Sequence, residues 1–363
     1  MLFHFCVEPD PTIKVECDEG YIPCVNDITN CCPDTVSHEF EWTTFRSGEV
    51  GGPNSGFNDA AIDSDGGIWV VGQVFTDSTT YELAVFDGLE WELRNVEYEF
   101  RDHVNSVELF AIAIVNDSLI WTYGSLPLLG NGIDWMAMDY RDQGLPNISV
   151  SPVKLWCEDV SSCLFVGREG RILRYDDGDF HFLDSPIGMT IRSLAVSNGN
   201  YFAAAYENSG EYIGQSAIIY SLDGENWQIH KQSQTFYPGE NSTDPGIITA
   251  VISFDGTCYY TTPYGIYQFE PESGIESQFA SKSESRTSAL TAREMSGNSI
   301  NDFMIYGGNR TVVHHDGYNW WRYQLDVLED GFFFTSILFE GDTVLITGGS
   351  SSSGEAIVVI GRR

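Results

Sequence analysis

The sequence predicts an all-β fold, a seven-bladed β-propeller with four-stranded antiparallel blades, from a recurring turn, its spacing and a second series of turns. The recurring turn is an Asp-Gly pair followed by an aromatic residue, and its clear copies begin at Asp87, Asp177, Asp223 and Asp316. These aspartates lie about 46 residues apart or about twice that distance, and a period of this size is typical of propellers. The period divides residues 39–363 into seven units, two of which have lost the turn signal.

Each unit is expected to contain four strands joined by tight turns. Asp-Gly between apolar runs supplies the positive φ angles of a hairpin turn, and the aromatic residue begins the next strand. A second turn series lies half a unit away, for example at Ser64–Gly67 and Phe254–Thr257. In the first unit, strands are predicted over residues 58–63, 68–75, 81–86 and 91–96. Later units are predicted to begin near Val104, Val153, Thr190, Ile247, Thr287 and Phe332.

The last unit contains three strands, the last of which is predicted at Ala356–Ile360. The stretch His38–Phe45 alternates polar and apolar residues like the predicted outer strands, so we expect it to complete the last blade. Such closure removes the sheet edges that would otherwise pair with other chains. The chain is therefore predicted to divide into a Cys-rich N-terminal extension, residues 1–37, and a propeller, residues 38–363.

The charge of the chain excludes one class of partner. The 53 acidic residues against 18 basic ones give a formal net charge of −35. A chain this acidic repels the phosphates of nucleic acids and the surface of anionic membranes, so nucleic acid is not expected as a partner. The charge is typical of the solvated surface of a secreted or salt-adapted protein. The alternative is a surface that captures cations or a basic partner.

The cysteines are unevenly placed and predict disulfides. Five of the eight precede the predicted propeller: Cys6, Cys17, Cys24, Cys31 and Cys32. The last four of these are expected to form two bridges of undetermined connectivity, because the Pro- and Asp-rich segment around them cannot build a core. Cys157 and Cys163 flank a predicted hairpin turn at a spacing that permits a bridge, whereas Cys258 is predicted to be a buried free thiol. Oxidised cysteines predict an extracytoplasmic location.

The first residues resemble the end of a lipoprotein signal. A short apolar stretch, Leu2–Phe5, precedes Cys6, and a polar Pro-containing segment follows it. A full signal peptide also has a basic start and a longer apolar segment. A lipid on Cys6 is the one membrane attachment that we expect, since no run of about eighteen apolar residues predicts a spanning helix.

Two resemblances are carried by short motifs. The segments Ser37–Trp42, Asn58–Ile62 and Ile68–Gly72, with the turn Asp87–Trp91, together resemble a group of secreted bacterial propeller lipoproteins that are largely uncharacterised. This resemblance implies a secreted or outer-surface location. The stretch Ser221–Trp227 is similar to the Asp-box of sialidases and sortilin-like propellers, although its Asp and Gly are adjacent. In those proteins the box is a structural turn, so the similarity implies no chemistry.

No motif assigns a catalytic or metal-binding residue. The sequence has no Gly-x-Ser-x-Gly, no phosphate loop with Lys and no His-Glu-x-x-His. The rings of His314 and His315 are expected to point to opposite faces of a strand, which disfavours a shared metal site. Asp63–Gly66 and Asp176–Asp179 resemble fragments of calcium loops but fit ordinary turns, so calcium is the one cofactor left open. No motif selects an arginine triad facing the channel from the scattered arginines, among them Arg46, Arg101, Arg168, Arg192 and Arg293.

A ligand site is predicted on the rim formed by the longest loops, which we place at residues 46–57, 96–103, 125–135, 207–215 and 231–246. The candidate binding residues on these loops are Tyr98, Phe100, His103, Trp135, Tyr212, Phe236 and Tyr237. Aromatic faces beside carboxylates suit a protein partner or a polysaccharide; alternatively, these side chains pin their own loops. We expect a non-catalytic binding or scaffolding module. The alternatives are a glycoside hydrolase or lyase at the channel mouth and a structural subunit of an extracellular assembly.

Overall fold

The computed structural model describes residues 21–23, 31–33, 37–116, 119–146, 151–207, 214–235, 244–281, 285, 292–307, 311–325 and 331–363. These residues form seven antiparallel blades around a central channel, which confirms the predicted fold. The only helices of the described part are two single 3₁₀ turns, Tyr140–Gln143 and Arg168–Gly170. Among the residues described, no helix has the length and apolar character that a membrane span requires.

Blades 1 to 6 have their four blade strands in chain order from the channel outwards, and the first strands of neighbouring blades pack against each other. Blade 1 consists of Gly56–Ile62, Ile68–Phe75, Thr80–Phe86 and Trp91–Arg94. Blade 2 consists of Ala111–Asn116, Leu119–Tyr123, Pro127–Gly130 and Trp135–Ala137. Blade 3 consists of Pro152–Asp159, Ser162–Gly167, Ile172–Asp176 and Asp179–Leu183. Blade 4 consists of Ile191–Ser197, Asn200–Tyr206, Ser216–Ser221 and Gln228–Ser233.

Blades 5 and 6 follow the same order, whereas blade 7 takes its outermost strand from the N-terminal end of the propeller. Blade 5 consists of Val251–Phe254, Thr257–Thr262, Gly265–Glu270 and Ile275–Ser281. Blade 6 consists of Glu294–Ser299, Asp302–Tyr306, Thr311–His315 and Trp320–Gln324. Blade 7 consists of Phe332–Glu340, Thr343–Ser350, Ala356–Arg362 and the N-terminal strand Glu41–Ser47.

The N-terminal strand closes the ring as predicted, with a small shift in its limits. Glu41–Ser47 pairs antiparallel with Ala356–Arg362, and Trp42 lies opposite Gly361. Phe45 of this strand stacks on Trp91 of blade 1, with ring centroids 4.2 Å apart. The same strand therefore completes blade 7 and packs against blade 1, so the two ends of the propeller are joined by both hydrogen bonds and buried aromatic surface.

The recurring turns depend on the aspartate side chain. Asp87 Oδ1 accepts the backbone N–H groups of Leu89 at 2.8 Å and Glu90 at 2.9 Å, and Asp223 and Asp316 make the same contacts in their own turns. Only in the Asp177 copy are both turn residues at positive φ. The pattern is thus mainly a side-chain cap on the turn, with positive φ supplied by the glycine.

Three unit boundaries differ from those predicted. Blade 2 begins at Ala111 rather than near Val104, because Tyr98–Phe100 pairs in parallel with Trp135–Ala137 and extends blade 2 outwards. His103–Asn105, which contains Val104, pairs outside that strand, so this sheet has six strands. Blade 5 begins at Val251 rather than near Ile247. Blade 6 begins at Glu294, whereas Thr287, near which it was predicted to begin, lies outside the described residues.

In the N-terminal extension, Tyr21–Pro23 pairs antiparallel with Cys31–Pro33. Cys6, Cys17 and Cys24 lie outside the described residues. The two bridges expected here, the lipid on Cys6 and the division of the chain after residue 37 therefore stay predictions.

Candidate functional site

The cysteines within the propeller have two roles. Cys157 and Cys163 form a disulfide between the first two strands of blade 3, where they lie directly opposite each other. Cys258 is a buried free thiol, and burial raises its pKa well above the ordinary value. A thiol in this state is packed as a small apolar group and is unreactive.

Four of the candidate rim residues lie together at the outer edge of blade 2. Tyr98 and Trp135 face each other on paired strands, and both are buried in the core between blades 1 and 2. The centre of the Phe100 ring lies 4.9 Å from the guanidinium of Arg101 and 5.1 Å from that of Arg141. His103 is exposed on the added hairpin. This placement corresponds to the alternative in which the aromatic side chains pin their own segment. Tyr212, Phe236 and Tyr237 lie outside the described residues.

His314 and His315 point to opposite faces of their strand, as expected from strand alternation. The His314 ring lies 5.8 Å from Phe339 of blade 7, and the His315 ring lies 5.6 Å from Phe279 of blade 5. Within the described ranges, no group of three or more His, Cys, Asp or Glu residues is arranged to hold a metal ion. Asp63, in one of the calcium-like fragments, accepts the N–H of Gly67 and the indole N–H of Trp69 at 2.8 Å. Calcium binding stays a prediction that this geometry does not support.

A cavity of about 250 Å³ lies at one mouth of the central channel. Six blades each contribute one residue from the beginning of the first strand: Asn58, Phe110, Val153, Arg192, Arg293 and Thr335, from blades 1, 2, 3, 4, 6 and 7. Tyr206, Tyr306 and Phe334 add aromatic walls. The cavity is therefore built by the repeat itself, with a different side chain in each blade.

Four of these residues are placed by β-bulges. The pairing of the first and second strands shifts by one residue at equivalent points of blades 1, 3, 4 and 7, and the extra residues are Asn58, Val153, Arg192 and Thr335. A bulge leaves one residue unpaired and redirects its side chain, which is why bulges are common next to functional sites. In the same way, Arg293 directly precedes the first paired residue of blade 6.

The floor of the cavity is a buried charge cluster. Lys154 Nζ lies 3.2 Å from Asp59 Oδ1 and 3.0 Å from Ser336 Oγ, and it also contacts a carboxylate oxygen of Glu294. The second oxygen of Glu294 accepts the N–H of Ile337 at 2.9 Å. The side chains of Lys154, Asp59 and Glu294 are 14%, 10% and 11% exposed. Blades 1, 3, 6 and 7 are thus tied together across the channel.

The burial of this cluster changes the protonation of its members. Burial acts to lower the pKa of Lys154, but the carboxylates of Asp59 and Glu294 outweigh it and raise that pKa. Burial raises the pKa of Glu294, and Lys154 offsets only part of this effect. The lysine is therefore held in its charged form, and its charge is balanced inside the cluster.

The two arginines at the mouth differ in their partners. Arg192 Nε donates to the Tyr206 carbonyl at 3.2 Å, its Nη2 lies 3.6 Å from Glu207, and its guanidinium lies 4.8 Å from the centre of the Tyr206 ring. Arg293 is exposed, and in the part of the chain that the structure covers its side chain has no ion-pair partner. Arg293 therefore supplies the one uncompensated positive charge among the described residues that line this cavity.

Sequence reasoning missed this site because no local motif marks it. A usable signal does exist: a polar pair begins several otherwise apolar first strands, namely Asn58-Asp59, Arg192-Ser193, Arg293-Glu294 and Thr335-Ser336. The first strand of each blade lines the channel, so two polar residues at its start place at least one polar side chain toward the mouth, whichever way the strand alternates. Aligning the seven units on this strand would have placed both arginines at the mouth.

No protein-family model matches the chain, and a search of curated proteins finds no significant match. Among solved structures, the chain is similar to YCF48 bound to D1 peptide, with 18% identity, a TM-score of 0.61 and coverage of 91% of this chain and 100% of that one. A catalytically inactive virginiamycin B lyase from Staphylococcus aureus, with quinupristin, matches with 13% identity, a TM-score of 0.58 and coverage of 88% and 99%. PorZ, a surface component of the Porphyromonas gingivalis type-IX secretion system, matches with 12% identity, a TM-score of 0.53 and coverage of 88% and 37%. At these identities the similarity establishes the propeller fold.

Proposed function

We propose that this protein is a non-catalytic, extracytoplasmic propeller that binds a protein segment at the channel mouth and the surrounding rim. The observation that carries the proposal is the cavity of about 250 Å³, in which aromatic walls stand beside Arg192 and Arg293. Aromatic side chains and arginine are the residues that contribute most to protein recognition. Tyr212, Phe236 and Tyr237 remain candidates for the rim.

The lining of the cavity favours binding over catalysis. Among its described residues there is no histidine or cysteine. Its one carboxylate, Glu294, is engaged by Lys154 and by the N–H of Ile337, so it is poorly placed to act as a general base. Of the similar propellers, YCF48 has been solved with a peptide bound. These points support a site that holds a chain segment.

The proposed location rests on the chemistry of the cysteines. The bridge between Cys157 and Cys163 requires an oxidising compartment to persist. PorZ, which shares the fold, is described as a bacterial surface component. A lipid on Cys6 would attach the protein to a membrane while leaving the propeller free. Mass spectrometry of the native protein tests this attachment: an unmodified Cys6 in the mature protein would exclude it.

Blocking the cavity tests the proposed binding. Val153→Trp places a large side chain at the mouth without changing any charge, whereas Leu89→Trp adds the same side chain to an exposed turn at the other end of the blades. We expect peptides selected from a display library to bind the wild type and Leu89→Trp equally, and to lose binding to Val153→Trp. Equal binding to all three proteins would contradict the proposal.

The rival function is a glycoside hydrolase or lyase, and the similarity to a lyase with the same fold keeps it open. A panel of polysaccharides, incubated with the protein with and without a calcium chelator, separates the two functions. Turnover that Val153→Trp abolishes would establish the enzyme. Saturable binding without turnover supports the binding module. A structural subunit would instead form ordered oligomers in solution.

A further inference from the structure

We propose that the channel mouth recognises the free carboxyl terminus of a protein segment that carries no net negative charge of its own. This inference rests on the proposed function and names the chemistry of the bound group. The carboxylate would be held by Arg293, with Arg192 as the second guanidinium, and the last side chain of the ligand would contact the aromatic walls.

The pairing of charges at the site favours a carboxylate ligand. Lys154 is neutralised by Asp59 and Glu294 in the floor, and Arg192 has Glu207 at 3.6 Å. Arg293 has no such partner within the described ranges and lines the same cavity. A guanidinium pairs with a carboxylate through two parallel hydrogen bonds, which gives both affinity and orientation. Within the described ranges, Arg293 is therefore the guanidinium of this site that has no carboxylate beside it, and its fork geometry suits a single carboxylate.

The size and closure of the cavity favour the end of a chain. The floor formed by Lys154, Asp59, Glu294 and Ser336 blocks passage further down the channel at this level. A volume of about 250 Å³ accommodates a terminal residue but not a folded element or a continuous chain passing through it. A segment that continues through the floor is excluded, so the group in the cavity is either a chain end or a side chain. A chain terminus satisfies this requirement together with the need for a carboxylate.

The electrostatic field of the whole protein favours a neutral or basic segment. With a net charge of −35, the surface around the mouth repels a ligand that carries many negative charges. A segment with lysine or arginine upstream of its last residue is instead attracted over several ångströms. The guanidinium groups at the mouth therefore select the terminal carboxylate. The net negative charge of the whole protein selects ligands whose segment upstream of that carboxylate is neutral or basic.

The experiment compares one synthetic library of short lysine-containing peptides in two forms, with free carboxyl termini and with amidated termini. Three variants are measured beside the wild type. Arg293→Gln and Arg192→Gln remove the charges at the mouth. Arg322→Gln removes a charge from the exposed outer strand of the same blade as Arg293 and serves as the matched control.

We expect the wild type and Arg322→Gln to bind the free acids at least about tenfold more tightly than the amides, as loss of a charge-assisted pair implies. Arg293→Gln should bind both forms equally, and Arg192→Gln should show a smaller preference. Equal binding of acids and amides by the wild type, still blocked by Val153→Trp, would overturn the carboxylate anchor and leave the proposed function intact. Amidated peptides that bind through an internal Asp or Glu would also overturn the terminal carboxylate. No binding of either form would count against the proposed function itself.

Discussion

Lys154 Nζ of blade 3 lies 3.2 Å from Asp59 Oδ1 of blade 1, so an ion pair crosses the channel between two blades that are not neighbours. Glu294 of blade 6 completes the cluster from a third direction. Propeller blades otherwise contact mainly the next blade in the ring, through apolar side chains. The cluster therefore links blades 1, 3, 6 and 7 to one another and forms the floor of the proposed binding cavity.

Replacing the lysine tests the energetic role of this cluster. We expect Lys154→Met to lower the free energy of unfolding by about 3 to 5 kcal/mol at neutral pH, because it leaves buried carboxylates without a counter-charge. Burial already raises the pKa of Glu294, so acidification would protonate it and reduce the loss. Chemical denaturation at several pH values measures both effects.

The triple variant Asp59→Asn, Lys154→Met, Glu294→Gln is the control for this prediction. It removes the charges together, so most of the stability should return, because uncharged buried groups carry a much smaller desolvation cost. If Lys154→Met alone were as stable as the wild type, the cluster would not hold the blades together.

A second ion pair stabilises the closure of the ring. Arg363 forms two hydrogen bonds with Asp302, at 3.0 and 2.7 Å, and donates to the Ser37 carbonyl at 3.0 Å. Both side chains of the pair are almost fully buried. We expect Arg363→Met to cost about 2 to 3 kcal/mol of stability, measured by thermal or chemical denaturation. Asp342→Asn removes the exposed second partner of Arg363 and should have little effect.

The pair of Arg363 and Asp302 also predicts that the stability difference between the wild type and Arg363→Met depends on pH. Burial alone would raise the pKa of Asp302, but hydrogen bonds from His314, Arg363 and Asn298 outweigh it and lower that pKa. The stabilisation is complete above the ordinary pKa of an aspartate, about 4, and is lost as pH falls through the lowered value. The gap between the wild type and Arg363→Met should therefore narrow below about pH 4. A gap that widened in acid would contradict this assignment.

We expect the repeated Asp-Gly turns to contribute different amounts to stability, according to how deeply the aspartate side chain is buried. Asp316 is buried, and its carboxylate accepts the indole N–H of Trp321 at 2.6 Å as well as the backbone N–H of Tyr318. Asp316→Ala should cost about 2 to 3 kcal/mol, because buried donors lose a charged acceptor. Asp87→Ala removes the same cap from an exposed turn and should cost clearly less. Melting temperatures of the two variants provide the comparison, and equal losses would show that burial is irrelevant here.

The architecture could be predicted because its signal is local and repeated. Asp87 and its equivalents fix turns through contacts within three residues, so the period survives in the sequence. Even a weakened copy keeps the geometry: Asn131 accepts the N–H groups of Ile133 at 2.9 Å and Asp134 at 2.8 Å. Closure of the ring could also be predicted. The last unit lacks an outer strand, and the alternating segment before the first unit can supply it.

The binding cavity could not be predicted in the same way. The residues that successive blades contribute are separated by about forty positions or more and meet only after the ring has closed. Which of two adjacent residues faces the channel depends on a bulge, and a shift of one residue reverses the direction of a side chain. Tyr98 and Trp135 show the reverse case, since each was predicted to lie in a loop of the rim. Trp135 instead belongs to the fourth strand of blade 2 and Tyr98 to a fifth strand beside it, and both side chains are buried.

His315 is buried against Trp320, with ring centroids 4.4 Å apart. Its Nδ1 lies 3.1 Å from the Ile300 carbonyl oxygen. Burial lowers its pKa to about 4, and the hydrogen bond to Ile300 opposes this only in part. Between pH 6.5 and about 4 the unfolded chain binds a proton that the folded protein does not bind, so stability falls by about 3 kcal/mol as pH decreases through this window. Stability above pH 6.5 is unaffected by this group.

Urea denaturation of the wild type and His315→Gln at pH 7.5 and pH 5 measures this contribution. The variant should be less stable than the wild type at pH 7.5, because glutamine packs less well against Trp320, but it should lose less stability on acidification. His181→Gln, which replaces an exposed histidine of blade 3, should follow the wild type at both pH values. Parallel losses in all three proteins would show that His315 is not held neutral by its burial, and that the acid sensitivity of the propeller arises from its carboxylates.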